Sequence, residues 1–351
     1  MKHGIYIIGV IALLLSASTS VYAQRISVGK KGLVKVLRTD STSASEYVKG
    51  QTEGTLMGRT KKTNNTQQVA AALRSDVDLN IPATKAKQEK TFAVIIANEN
   101  YEEEVNVDYA LNDGIAFSQY CTKALGIPES NVHVRRDATL NNILAEIDWM
   151  QNIARAYGEE AKFIFYYAGH GVPDESNGTA YLLPVDGKSS IVATGYSMGK
   201  LYEQLNALKA ASVTVLMDAC FSGAKRGEGM LASARGVAIK AKAEAPKGNM
   251  LVITAAQGNE TAYPYKEKKH GLFTYFLLKK LQESKGNITY GELFDYVKRN
   301  VAQKSIVVNE KSQTPSVSAS GSLATAWEKA KVYLMCFLLS RNLSSQKYKS
   351  F

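Results

Sequence analysis

Residues 163–171 read FIFYYAGHG, an apolar run that ends on a histidine held between two glycines. Its length, its aromatic residues and the glycine that follows are typical of a buried strand. A second run of this kind, VTVLMDACFSG (213–223), ends in Asp218, Cys220 and a loop that contains glycine. Ligand sites of open parallel sheets lie beyond the carboxyl ends of the strands, so both runs end where a site is expected.

Strand and helix patterns alternate on both sides of these two runs. The alternation predicts an α/β domain whose central sheet is mostly parallel and carries helices on both faces. The predicted strands cover residues 91–97, 131–135, 161–167, 212–217 and 249–254, with a last one near 314–319. The predicted helices cover residues 108–125, 139–157, 197–209, 271–284 and 289–304.

Composition divides the 351 residues into four parts. Residues 1–23 combine a short basic region, an apolar run and a small-residue cleavage pattern, which predicts a signal peptide and an exported protein, periplasmic or secreted. Residues 24–87 are polar and are interpreted as a pro-segment or spacer, and residues 88–322 form the α/β domain. For residues 323–351 no function is assigned, and their apolar run of about ten residues is too short to span a bilayer.

The formal net charge of +11 is spread over linkers and helix faces. A nucleic-acid interface would concentrate basic residues in one tract with interleaved aromatic residues, so we expect no nucleic-acid partner.

The three cysteines are Cys121, Cys220 and Cys336. Their odd number and wide spacing argue against a disulfide framework and leave at least one free thiol in an exported chain. Cys121 and Cys336 lie in apolar patterns and are interpreted as structural, which leaves Cys220 as the candidate nucleophile.

Three histidines follow the predicted signal peptide. His133 lies within a strand pattern, where a structural role is expected, and His270 precedes a helix start, where a capping or surface role is expected. Only His170 is flanked by glycine on both sides, so that backbone and ligand can approach each other closely. A cysteine nucleophile needs a base that takes its proton, and His170 at the neighbouring strand end fits that need.

These motifs resemble those of the caspase-like cysteine peptidases, and in particular those of the metacaspase branch and its bacterial relatives, the orthocaspases. The resemblance implies a caspase-hemoglobinase fold with His170 and Cys220 as the catalytic dyad. It also implies an oxyanion hole made by the backbone N–H groups of Gly171 and Cys220. The similar segments, between about Thr91 and Ala319, are YYAGHG, DACFSG, NENYEEEVNVDYALNDG, LLPVD and HGLFTYFLLKKL.

The resemblance also implies a substrate preference. Metacaspases have an acidic residue two positions before the nucleophile, where this chain has Asp218, and Asp113 in ALNDG matches a second acidic residue of their pocket. Carboxylates there favour Arg or Lys before the scissile bond. Ala168 stands where several metacaspases have serine, so the choice between Arg and Lys stays open.

Many metacaspases require calcium, which takes 6 to 8 oxygen ligands. The segment after His170 offers only Asp174, Glu175 and Asp186, so we expect no calcium requirement and no other cofactor or metal. The expected partners are peptide or protein substrates, and the chain is expected to be a monomer with no membrane span after signal removal.

Residues 224–249 form a glycine-, alanine- and lysine-rich segment that is typical of an exposed, cleavable loop. A pocket for basic residues would allow the enzyme to cut itself there, although a plain surface loop remains an alternative. The candidate cleavage sites are Arg226, Arg235, Lys240, Lys242 and Lys247, with Lys85, Lys87 and Lys90 in the pro-segment.

Two alternative functions stay open at the level of sequence. A catalytically silent caspase-like domain could serve as a scaffold or binding module. A clostripain-like, gingipain-like or legumain-like peptidase would share the His-Gly and Cys pairing on a related fold.

Overall fold

The computed structural model describes residues 25–28, 34–37, 74–174, 176–221, 245–258 and 260–332. The chain forms two compact units, residues 1–64 and 65–351. In the first unit, β1 (Arg25–Val28) pairs antiparallel with β2 (Val34–Leu37). The second unit contains all other described elements.

The second unit is built of strands and helices in alternation. Its strands are β3 (Thr91–Ala97), β4 (Val132–Arg136), β5 (Lys162–Ala168), β6 (Gly171–Pro173), β7 (Ala180–Leu182), β8 (Tyr196–Ser197), β9 (Ser212–Asp218), β10 (Met250–Thr254), β11 (Pro264–Tyr265), β12 (His270–Gly271) and β13 (Ser316–Ala319). Its α-helices are α1 (Ala110–Gln119), α2 (Leu140–Tyr157), α3 (Met198–Ala207), α4 (Leu272–Ser284), α5 (Tyr290–Asn309) and α6 (Leu323–Ala326).

A six-stranded sheet in the order β13-β10-β9-β5-β3-β4 forms the centre of this unit. Strands β10, β9, β5, β3 and β4 are parallel, and β13 pairs antiparallel with β10 at one edge. This mostly parallel sheet with flanking helices confirms the predicted fold class. None of the helices in the described ranges is both long and apolar enough to cross a membrane.

Strand β5 shows why the central strands are continuous apolar runs. Ile164, Tyr166 and Ala168 belong to the core on one face of the sheet, whereas Phe163 and Phe165 belong to the core on the other. Both faces are covered, so a polar residue has no solvated side to occupy.

Two of the helices begin at capping boxes. The side chain of Thr139 accepts a hydrogen bond from the Asn142 N–H at the start of α2, and Thr289 accepts one from Glu292 at the start of α5. In both cases the side chain at the third helical position accepts a hydrogen bond from the backbone N–H of the cap residue. The two bonds of each box satisfy amide donors that have no partner within the first turn.

Residues Ser75–Leu79, named here the N-terminal strap, pack on helices of the same unit. Val77 is fully buried, and the Tyr120 hydroxyl donates a hydrogen bond to its carbonyl oxygen at 2.8 Å. The Gln282 side chain donates to the carbonyl oxygens of Asp76 and Leu79 at 3.1 and 2.7 Å. Composition grouped the strap with the polar spacer 24–87, yet these contacts attach it to helix α4.

Phe165 tests the buried sheet directly. Its side chain is 0% exposed, so we expect Phe165→Ala to lower the free energy of unfolding by about 3–5 kcal/mol, through lost burial and the remaining cavity. Urea denaturation measures the change. Ile306→Ala is the control, because Ile306 is 60% exposed and its loss should cost no more than about 0.5 kcal/mol. Equal unfolding midpoints for the two variants would contradict this account of the core.

Candidate active site

The register between β5 and β9 brings His170 and Cys220 to one edge of the sheet. Ala168 lies directly opposite Asp218 in this parallel pair, and the Gly169 N–H donates a hydrogen bond to the Asp218 carbonyl oxygen at 3.3 Å. His170 and Cys220 each follow two residues later, so they leave neighbouring strands at the same level. Both are nearly buried, with 5% and 2% of their surfaces exposed.

A backbone carbonyl determines which nitrogen of His170 can act as a base. Nε2 of His170 lies 2.7 Å from the carbonyl oxygen of Val105. A carbonyl oxygen only accepts hydrogen bonds, so Nε2 carries the hydrogen and Nδ1 is the basic nitrogen of the neutral ring.

Two tyrosines hold the backbone of His170. Its N–H donates to the Tyr101 hydroxyl oxygen at 2.8 Å, and the Tyr101 and His170 rings pack with centroids 4.7 Å apart. The Tyr167 hydroxyl donates to the His170 carbonyl oxygen at 2.8 Å. Burial raises the pKa of Tyr167 well above its usual value, which keeps this hydroxyl protonated as a donor. Sequence reasoning missed both tyrosines as positioning residues.

The glycines beside His170 are required by close contacts. A Cβ atom at Gly169 would lie 2.7 Å from the Tyr101 hydroxyl oxygen and 2.8 Å from that of Tyr167. At Gly171 a Cβ would lie 2.6 Å from the Cys220 carbonyl oxygen and 2.5 Å from Cε1 of Phe221. The backbone of Gly171 therefore lies directly against the segment that carries Cys220, which is where the resemblance places the oxyanion hole.

The carboxylates of Asp113 and Asp218 both pack against Gly271. A Cβ there would lie 2.3 Å from Oδ2 of Asp218 and 2.9 Å from Oδ2 of Asp113. The Gly271 N–H donates to both carboxylate oxygens of Asp113, at 3.1 and 2.9 Å. Thr274 donates to Oδ2 of Asp218 from its N–H at 3.2 Å and from its hydroxyl at 2.7 Å. Both carboxylates are 0% exposed and face the amino end of α4, whose unpaired N–H groups favour negative charge.

His270 is a member of this site that the sequence analysis interpreted wrongly. A surface role is excluded because the residue is 0% exposed, and a capping role is excluded because Gly271 is the N-cap of α4 and no side chain caps it. Its Nδ1 lies 2.7 Å from Oδ1 of Asp113, and its Nε2 lies 3.0 Å from Oδ1 of Asp78 in the N-terminal strap. Burial works against the charged ring, but the hydrogen bonds and charges of Asp113 and Asp78 outweigh it and raise the pKa of His270 to about 9. His270 is therefore an imidazolium at neutral pH and donates to both carboxylates.

His133 and Cys121 are both held in structural surroundings. His133 has its Nδ1 2.7 Å from Oε2 of Glu146 and stacks on Trp149, which confirms a structural role. Cys121 is fully buried, and burial raises the pKa of its thiol, which confirms an unreactive structural cysteine. Cys336 lies outside the described residues.

The structure describes some of the candidate cleavage and calcium positions. Lys85, Lys87, Lys90 and Lys247 are exposed, whereas Arg226, Arg235, Lys240 and Lys242 lie outside the described residues. The Asp174 side chain binds Ser176 and Asn177, Asp186 accepts from the Leu140 N–H, and Glu175 is not among the described residues. Within the described part of the chain, no three His, Cys, Asp or Glu side chains are grouped so that they could hold a metal ion.

The comparison with known families identifies the family of the domain. The sequence profile of the caspase domain matches residues 90–325, more than half of the chain. The chain belongs to the caspase domain family. Members of this family are cysteine peptidases, so the resemblance predicted from the motifs is confirmed at the level of the caspase domain. No curated protein matches the chain.

Two solved structures show different degrees of similarity to this chain. A protein of Geobacter sulfurreducens has a TM-score of 0.53 at 19% identity, with 71% of this chain and 100% of that chain covered. Caspase-1 of Spodoptera frugiperda has a TM-score of 0.46 at 18% identity, with 70% of this chain and 94% of that chain covered. At 19% identity, the similarity to the Geobacter protein concerns the fold alone. The TM-score of the Spodoptera caspase-1 is too low to support a conclusion.

Tyr101→Phe tests the support of His170. The variant keeps the ring packing but removes the acceptor of the buried His170 N–H, so we expect kcat on a peptide substrate to fall about tenfold with little change in KM. Steady-state kinetics on the purified full chain measure both constants. Tyr157→Phe is the control, because Tyr157 is exposed on α2. Wild-type kcat in Tyr101→Phe would show that the hydroxyl does not position His170.

The raised pKa of His270 predicts how stability depends on pH. Its folded value of about 9 exceeds the usual 6.5, so its contribution is complete below about pH 6.5 and is lost as the pH rises through about 9. The free energy of unfolding of the wild type should therefore fall more steeply over this range than that of His270→Gln. Urea unfolding at a series of pH values measures both slopes, and parallel curves would contradict a buried imidazolium.

Proposed function

We propose that this caspase domain is an exported cysteine endopeptidase that hydrolyses peptide bonds after Arg or Lys. The observation that carries the proposal is the register of Ala168 opposite Asp218, because it sets His170 and Cys220 at adjacent strand ends. The hydrogen bond between His170 Nε2 and the Val105 carbonyl oxygen supports the proposal, because it leaves Nδ1 as the nitrogen that acts as the base.

The chemistry follows from these two side chains. Nδ1 of His170 takes the proton of the Cys220 thiol, and the thiolate attacks the carbonyl carbon of the scissile bond. The backbone N–H groups of Gly171 and Cys220 stabilise the oxyanion that forms. The imidazolium then gives its proton to the leaving amine, and a water activated by His170 hydrolyses the thioester.

The buried charges support a preference for basic substrates. Asp218 stands two residues before Cys220, and Asp113 lies against the same glycine as Asp218, Gly271. The carboxylate charges of Asp113 and Asp218 are thus held close to Gly271, and His270 bonds to Asp113 and Asp78. In the low dielectric of a protein interior such charge acts strongly on a guanidinium or ammonium group.

The remaining parts of the proposal concern export and processing. We assign residues 1–23 to a signal peptide and the protein to the periplasm or the exterior of the cell. Self-cleavage is placed in the segment that contains Arg226, Arg235, Lys240, Lys242 and Lys247, of which Lys247 is exposed. The enzyme is proposed to act as a monomer without calcium.

A second candidate function is a binding or scaffold domain without activity. The observation that favours it is the burial of both Cys220 and His170, together with the complete burial of Asp113 and Asp218. A precursor that opens on processing would show the same burial, so activity must be measured before and after incubation that allows processing.

The decisive experiment compares wild type with Cys220→Ala, His170→Ala and the control Cys121→Ala. Fluorogenic peptides ending in Arg, Lys, Asn or Asp are offered with and without a calcium chelator. We expect turnover of the Arg and Lys peptides with chelator present, and a loss of at least about a thousandfold in the first two variants.

The other outcomes separate the alternatives. Absence of turnover on every peptide, before and after incubation for processing, favours the scaffold. A preference for Asn indicates a legumain-like site, and a preference for Asp refutes the role given to Asp218. Loss of activity with the chelator would show that calcium is required.

A further inference from the structure

The N-terminal strap is bound to the same elements that hold the pocket carboxylates. Oδ1 of Asp76 lies 2.9 Å from Nζ of Lys268, and its Oδ2 lies 2.9 Å from Nζ of Lys279 on α4. Although burial opposes the charge, the hydrogen bonds and charges of Lys279 and Lys268 lower the pKa of Asp76. The strap is therefore fixed both to α4 and to the turn that leads into β12.

A chain of hydrogen bonds runs from the strap to the pocket. Asp78 binds Nε2 of His270 at 3.0 Å, and Nδ1 of His270 binds Asp113 at 2.7 Å. The imidazole is completely buried, so water cannot replace either partner without a rearrangement. The orientation of the ring thus depends on a residue of the strap.

The position of Gly271 depends in turn on His270, its neighbour in β12. Gly271 donates its N–H to Asp113, and its Cα lies against the carboxylates of Asp113 and Asp218. A shift of the imidazole would move this glycine, and the two carboxylates would lose their common contact. Thr274, three residues further, holds Asp218 from the first turn of α4.

We propose that Asp78 and His270 are positioning residues of the specificity pocket, through which the N-terminal strap fixes Asp113 and Gly271 for the binding of a basic substrate side chain. This inference rests on the proposed function. Removal of the whole segment 24–87 would then lower the activity instead of releasing it, since residues 75–79 are part of the pocket's support.

Point variants of the full chain test the proposal. Asp78→Asn and His270→Gln keep size and some hydrogen bonding but remove the buried charge pair. We expect kcat/KM for an Arg peptide to fall about tenfold or more, mainly through KM, because a hydrogen bond between charged groups is lost. The rate at which iodoacetamide alkylates Cys220 should stay at the wild-type value, since the dyad is untouched.

Two further variants separate positioning from stability. His133→Gln removes another histidine–carboxylate pair, that of the partly exposed His133 with Glu146, on a different part of the sheet. It should alter the thermal midpoint without changing KM. Asp78→Glu keeps the charge and should recover part of the lost kcat/KM. Folded Asp78→Asn and His270→Gln proteins with wild-type KM would overturn the proposal.

Hydrogen–deuterium exchange gives a readout that does not depend on activity. The amides of Gly271 and Thr274 should exchange faster in Asp78→Asn than in the wild type, because they lose their fixed acceptors Asp113 and Asp218. Unchanged exchange overturns the inference even if the enzyme is active. If the wild-type chain hydrolyses no peptide, the proposed function is wrong. The exchange result still decides whether Asp78 fixes the position of Gly271.

Discussion

The parallel pairing of β5 with β9 is the constraint on which the site depends. Seven residues of each strand are paired without a bulge, from Lys162 opposite Ser212 to Ala168 opposite Asp218. A slip of one residue would turn every side chain of one strand to the other face, and both faces are buried. The core thus fixes the register, and the register fixes the level at which His170 and Cys220 leave the sheet.

The amino end of α4 binds two buried carboxylates beside this edge of the sheet. Asp113 and Asp218 come from α1 and β9, yet both accept hydrogen bonds from N–H groups at the start of α4. Each would be costly to bury alone, and the donors together with the His270 imidazolium compensate for the lost hydration. Acidic residues close to Cys220 are thereby kept in a site from which water is largely excluded.

The central strands, and the strand ends that carry His170 and Cys220, could be predicted because their signals are local. An apolar run such as 163–168 reflects two buried faces, and the glycines at 169 and 171 mark the close contacts of a strand end. His270 could not be interpreted in this way. Its partners Asp113 and Asp78 lie 157 and 192 residues away, and only the folded chain brings them together. Composition likewise gave no sign that Val77, inside a polar stretch, would be fully buried.

The boundary of the folded domain follows from the same electrostatics. A buried imidazolium is stable only while its carboxylate partners remain, and removal of one partner of a buried charge pair commonly costs about 3–5 kcal/mol. Asp78 is one of the two partners of His270, so a domain that began at residue 88 would leave the ring with Asp113 alone. The energetic unit therefore includes the strap, which lies before the first central strand.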